Sequence, residues 1–148
     1  MKSDMGAASW ARDVIGVIDT EGDCAEWTFP AEPGAVRTAR GVVRGQLRGW
    51  GLAGLCDVAT LLVSELVTNA LRHADGPIGV RLVRPVNLPY VLLVEVSDPV
   101  PDPPRERSAR PDDESGRGLQ LVAASSRRWG SRPWNSGKTV WFELTVPE

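Results

Sequence analysis

Glu65 and Asn69 are the two residues whose types and spacing most directly suggest chemistry. Four apart, they stack one above the other if their segment is helical. At about 100° per residue, Val58, Leu61 and Leu62 point within about 60° of the same direction. A carboxylate and an amide thus continue an apolar stripe, where an unpaired charge is costly. Either a polar ligand meets them, or Glu65 pairs with Arg72 or a backbone group at the helix edge; spacing leaves both open. Asp98 ends a run in which Leu92, Val94 and Val96 alternate, so its carboxylate shares their side of a strand. Such an aspartate is commonly a turn former, yet at the mouth of a core it can also accept a hydrogen bond from an amino group. Ser115-Gly116-Arg117-Gly118-Leu119 leads into a helical pattern. Glycines there let backbone N–H groups approach an anion at a helix N-terminus; the plain alternative is a flexible lead-in. The neighbouring Asp112, Asp113 and Glu114 would repel phosphate unless they face away. Gly137-Lys138-Thr139 suggests a P-loop, but the upstream glycine is missing and a strand pattern follows, which excludes it.

The elements that must position these residues follow from periodicity. Ala25, Trp27 and Phe29 alternate with polar residues, giving a half-buried strand at 24–29. Glu32-Pro33-Gly34 opens a helix reaching about Gly49, with Val36, Ala39, Val43, Leu47 and Trp50 on one side. Arg37, Arg40, Arg44 and Arg48 form its solvated face. Asp57 caps a second helix at 58–74. Strands at 78–84 and 90–98 flank a hairpin loop, a long loop fills 99–115, and a third helix spans 118–128. A final hairpin turns at Asn135-Ser136-Gly137, with Val140, Phe142, Leu144 and Val146 inward. Helices and strands do not alternate regularly, which argues against a doubly wound parallel sheet and for helices on one face of a mixed or antiparallel sheet.

The 148 residues suit one domain, preceded by a tail at 1–23 that lacks a sustained period. Seventeen Lys+Arg against 19 Asp+Glu give a formal net charge of −2, which argues against direct nucleic-acid binding. The basic residues are nearly all arginines, Lys2 and Lys138 being the exceptions, a usage expected of GC-rich coding DNA. No apolar run is expected to cross a bilayer, and the N-terminus lacks a basic segment followed by an apolar one. Cys24 and Cys56 make neither a disulfide framework nor a zinc site. A cytoplasmic location is the expectation.

In order, Glu65-Leu-Val-Thr-Asn69-Ala-Leu-Arg-His73-Ala74, Asp98, Gly116-Arg117-Gly118-Leu119 and Gly137-Lys138-Thr139 resemble the ATP-binding boxes of the GHKL (Bergerat-fold) ATPase and kinase superfamily. Within it, the sequence is most similar to the small bacterial anti-sigma factor serine/threonine kinases. The resemblance covers about residues 25–146. It implies an α+β two-layer sandwich, with a mixed, mostly antiparallel sheet and helices packed on one face. It also implies an ATP-binding domain at 24–148 whose lid is the loop at about 99–115. ATP and Mg²⁺ are the implied cofactors. Asn69 would be the metal ligand and Glu65 the catalytic base. Asp98 would accept from the adenine amino group, supported by Thr139 through water. Gly116, Arg117, Gly118 and Leu119 would line the phosphates through backbone N–H groups, and His73 would buttress the helix. The implied activity is transfer of the γ-phosphate to a Ser/Thr of a small antagonist protein, controlling a sigma factor. A non-catalytic, ATP-dependent protein-binding module is the alternative. A homodimer is a family expectation, carried by the first strand or first helix. The sequence departs from the family where Asp-x-Gly-x-Gly is usual: here the run is Asp98-Pro99-Val100-Pro101-Asp102.

Overall fold

The computed structural model describes residues 23–73, 76–99, 114–134 and 137–147. Residues 1–22, residues 100–113 of the loop expected to be a lid at about 99–115, and the Asn135-Ser136 turn lie outside the described residues. Strand β1 (Asp23–Phe29) enters the sheet with Phe29 buried and Ala25 and Trp27 half-buried. Helix α1 (Ala35–Gly49) buries Ala35, Ala39, Val43 and Leu47, a run of i, i+4 neighbours. Arg37, Arg40 and Arg48 are exposed, as the solvated-face reading expects. Arg44 instead leans on the next helix, its guanidinium 3.4 Å from Thr60 Oγ1 and 3.6 Å from Asp57 Oδ1. Gly51, at φ 78°, ends α1. The Leu52 N–H donates to the Leu47 carbonyl at 2.7 Å and that of Gly51 to Arg48 at 3.0 Å, a Schellman closure that needs a left-handed residue.

Helix α2 (Cys56–His73) grows directly out of a 3₁₀ turn at Ala53–Leu55. Asp57 therefore sits inside the first turn rather than capping it, where its charge still complements the helix dipole. By length and composition, Ala53–His73 is apolar enough to cross a membrane, contrary to the sequence expectation. The reason is its place: α2 packs against α1, α3 and the sheet, so it is apolar on more than one side.

Strands β2 (Ile78–Arg84) and β3 (Val91–Asp98), helix α3 (Glu114–Ser125), and strands β4 (Arg128–Trp134) and β5 (Gly137–Thr145) complete the fold. The sheet order is β1-β2-β3-β5-β4, and each neighbouring pair is antiparallel, the limiting case of the expected arrangement. β3 and β4 are both antiparallel to β5 and so parallel to each other, which is why a crossover helix, α3, must join them. The helices cover one face: Ile78, Val80, Leu82, Leu92, Val94, Val96, Val140, Phe142 and Leu144 join the buried residues of all three helices in one core. α3 begins at Glu114 rather than at Gly118 and ends before Arg128, which joins β4. The two glycines read as a lead-in to the helix, but each costs a helix only about 1 kcal/mol relative to alanine, so both fit inside it.

The opposite face carries Arg81, Glu95, Ser97, Thr139 and Glu143, all buried. Arg81 Nη1 donates to Glu95 Oε1 at 3.0 Å, and Arg132 Nη2 lies 3.6 Å from Glu95 Oε2. Burial nevertheless dominates, pushing the Glu95 carboxyl from the ordinary 4.5 up to about 7 against the pull of Arg81 and Arg132. A carboxyl that binds its proton more tightly when folded stabilises the fold below the unfolded pKa and loses that contribution as pH rises through the folded one. Glu95→Gln removes this titration. The melting temperature of that variant minus that of the unsubstituted protein is therefore expected to increase between pH 5 and pH 8; a difference that is flat or falls over this range refutes the assignment.

Candidate functional site

α2 holds Glu65 and Asn69 one turn apart at the border of its buried face. Leu62, Leu66, Val67 and Ala70 are buried, Glu65 and Asn69 are half-buried, and Leu61, expected to share their apolar stripe, is 46% exposed. The pair thus lies at the rim of the core and not within it. Asn69 Oδ1 is buried and has no hydrogen-bond partner. Among the described residues, no hydrogen bond or ion pair engages the Glu65 carboxylate, so the reading in which Arg72 or a backbone group pairs it is not realised there. A buried acceptor left unmade costs about 1–3 kcal/mol. That cost falls on Asn69 Oδ1, while the Glu65 carboxylate one turn away is half-buried; a bound cation and a bound hydroxyl are what the two would engage.

α3 closes this rim from the side. Leu119 and Val122 are buried in the shared core, and Gly118 lies against Glu65. A Cβ at 118 would come within 3.1 Å of Glu65 Oε1 and 3.3 Å of Glu65 Cβ. With α3 starting at Glu114, Gly118 is its fifth residue, past the turn whose N–H groups stay free. Its expected role as a phosphate donor is therefore corrected: it permits close approach to Glu65. Gly116 stays within the free first turn. The side chain of Arg117 lies outside the described residues.

The other end of the site is built by β3 and β5. Their register sets Asp98 opposite Lys138, and Ser97 opposite Thr139. Side chains alternate across a strand, so Asp98 and Lys138 share the helix-covered face while Thr139 points to the other. Lys138 Nζ donates to both Asp98 oxygens, each at 3.1 Å, and both residues are nearly fully buried. Thr139 Oγ1 instead bonds Ser97 Oγ at 2.7 Å in the opposite layer. The expectation that Thr139 supports Asp98 is corrected, and Lys138 is the residue that reasoning missed. The signal was present: with Val140, Phe142 and Leu144 inward, parity puts 138 inward and 139 outward.

Backbone crowding fixes this end. A Cβ on Gly137 would collide with the Asp98 carbonyl oxygen and lie 2.7 Å from Pro99 Cα, and one on Gly76 would lie 2.8 Å from Pro99 Cγ. Gly76 follows α2 by three residues, so the C-terminal end of α2, where Asn69 lies, and the end of β3 meet at one end of the molecule. Pro99 there packs between two glycines.

Among the described residues, no group of three or more His, Cys, Asp or Glu forms a cage for a metal ion. A single carboxamide oxygen suits Mg²⁺, which keeps waters and takes phosphate oxygens rather than an all-protein shell. The orphaned Asn69 Oδ1 fits that demand.

Residues 29–144 match the histidine kinase-like ATPase domain family, and the chain belongs to it. Membership implies an ATP-binding domain. Among solved structures, the chain is similar to the RsbU and RsbW domains of Rv1364c from Mycobacterium tuberculosis, with a TM-score of 0.63 and 20% identity over 84% of this chain. It spans 33% of that chain, and the likeness is one of fold. No curated protein matches the sequence.

Two substitutions test the site's construction in thermal melts. Asn69→Leu replaces an orphaned acceptor with an apolar group of similar size and is expected to stabilise the apo protein by about 1 kcal/mol. Gly137→Ala forces a Cβ into the Asp98–Pro99 backbone and is expected to destabilise by at least about 1–3 kcal/mol. A destabilised Asn69→Leu or a neutral Gly137→Ala contradicts the geometry.

Proposed function

We propose that the protein is an ATP-dependent protein serine/threonine kinase that acts on a small antagonist protein and so controls a sigma factor, in the cytoplasm. The observation that carries this reading is the buried Asn69 Oδ1, without a partner among the described residues, one helical turn from a Glu65 carboxylate that no described residue pairs. Phosphoryl transfer needs positioning and charge neutralisation more than covalent help from the protein; the pair would supply the first directly and the second through a held cation. Asn69 would hold Mg²⁺ through its amide oxygen; bound there, the ion would neutralise charge on the phosphates. Glu65 would orient an incoming Ser/Thr hydroxyl and accept its proton. The hydroxyl oxygen bonds the γ-phosphorus, the bond to the bridging oxygen breaks, and ADP leaves. The first turn of α3, with Gly116, would present backbone N–H groups to the phosphates. Asp98 would accept from the exocyclic amino group of adenine. That the matched structure joins an RsbW domain to an RsbU domain supports a role among protein partners.

A second reading, a non-catalytic ATP-dependent binding module, is favoured by one observation: Pro99, directly after Asp98, packs against Gly76 and Gly137 where a mobile lid would want a free hinge.

Incubation with γ-labelled ATP and candidate antagonist proteins separates the two. Under the kinase reading, label moves to a Ser/Thr of the antagonist, Glu65→Ala lowers transfer at least about 100-fold while Mg-ATP still binds, and Asn69→Ala abolishes Mg-dependent binding. Binding that needs Asn69, with no transfer to any partner, supports the module instead. Transfer unaffected by Glu65→Ala rules out the assigned base.

A further inference from the structure

Lys138 is a lysine in a chain that otherwise uses arginine almost throughout. It is buried, on the helix-covered face, and directly across the ladder from the residue placed to read the base. Its ammonium touches both Asp98 oxygens at 3.1 Å. An ammonium is a compact charge with three rotatable donors, and a carboxylate has about four lone-pair sites, so the two bonds between them do not by themselves fill either group, and Asp98 makes a further interaction besides. A base entering this end of the site therefore meets an acceptor and a donor side by side, both desolvated.

The edge of a purine decides what such a pair can read. Adenine offers an amino donor at position 6 beside the N1 acceptor. Guanine offers a carbonyl acceptor at position 6 beside an N1–H donor. A carboxylate alone satisfies the first and faces the oxygen of the second with like partial charge. A carboxylate joined to an ammonium satisfies both, the two groups exchanging partners between bases. We propose that Lys138 is a specificity-determining residue that opens the base subsite to 6-oxopurine nucleotides, guanine among them, as well as to adenine. The inference rests on the nucleotide-binding reading above and deepens it.

Calorimetric titration of the full chain with Mg-ATP, Mg-GTP and Mg-ITP is the test. ITP carries the 6-oxo edge without the 2-amino group and isolates the contact to Lys138. All three are expected to bind the unsubstituted protein within about tenfold of one another. In Lys138→Thr the 6-oxo group loses its donor, and GTP and ITP are expected to weaken about 10- to 100-fold relative to ATP, the usual consequence of a polar atom left unpaired. Lys138→Arg keeps a donor and the charge opposite Asp98, and is expected to keep the ratio near that of the unsubstituted protein. GTP and ITP binding more than about 100-fold below ATP in the unsubstituted chain, or a ratio unmoved by Lys138→Thr, overturns this inference while leaving ATP binding in place. Failure of all three nucleotides to bind the unsubstituted chain overturns the nucleotide reading itself, and this inference with it.

Discussion

One constraint organises the molecule: α2 must hold two polar side chains at the rim of an apolar core without letting the protein satisfy them. Asn69 Oδ1 is buried and unpartnered, and Glu65 sits beside it half-buried. Protein interiors pair the great majority of buried polar atoms, so such a group marks a place where stability is exchanged for binding. The surroundings preserve that state. Gly118 brings α3 against Glu65 with no side chain that could donate to it. Buried Leu62, Leu66 and Val67 hold the other side of α2 to the core, fixing the direction in which the pair faces.

The far end of the site depends on β-sheet register. The antiparallel pairing of β3 with β5 sets Asp98 across from Lys138, and a slip of one residue would exchange Lys138 for Thr139 on the helix-covered face. Two glycines secure this end: Gly137 leaves room for the Asp98–Pro99 backbone, and Gly76 leaves room for the Pro99 ring. The buried Asp98–Lys138 pair is a specificity device more than a source of stability, because desolvation offsets most of the attraction in such pairs.

Much of this was legible from residue order. The i, i+4 placement of Glu65 and Asn69, the alternation that brings Asp98 to the helix-covered face, and the helix and strand succession all rest on periods that survive folding; the family was legible only through the resemblance of the motif residues themselves. What was illegible has physical causes. Gly116 and Gly118 look like a lead-in, yet α3 runs through both, because the propensity loss is small and Gly118 packs against Glu65 of α2. Asp57 looks like a cap, but a 3₁₀ turn upstream moves the helix start. Thr139 was assigned by its place in a motif rather than by strand parity, and parity decides which face a side chain serves. The buried charges Arg81 and Glu95 on the second face carry no sequence signal, since alternating charged residues on a strand ordinarily read as solvated.

The central claim is that the Asn69 amide oxygen is kept free for a cation that arrives with nucleotide. Its most direct measurement is the side-chain carboxamide resonance of Asn69, followed by NMR as Mg²⁺ and ATP are added separately and then together. The account predicts a saturable shift when both are present, little change with either alone, and the same shift in Glu65→Gln. A carboxamide resonance that stays in place at concentrations where nucleotide binding is otherwise evident contradicts it.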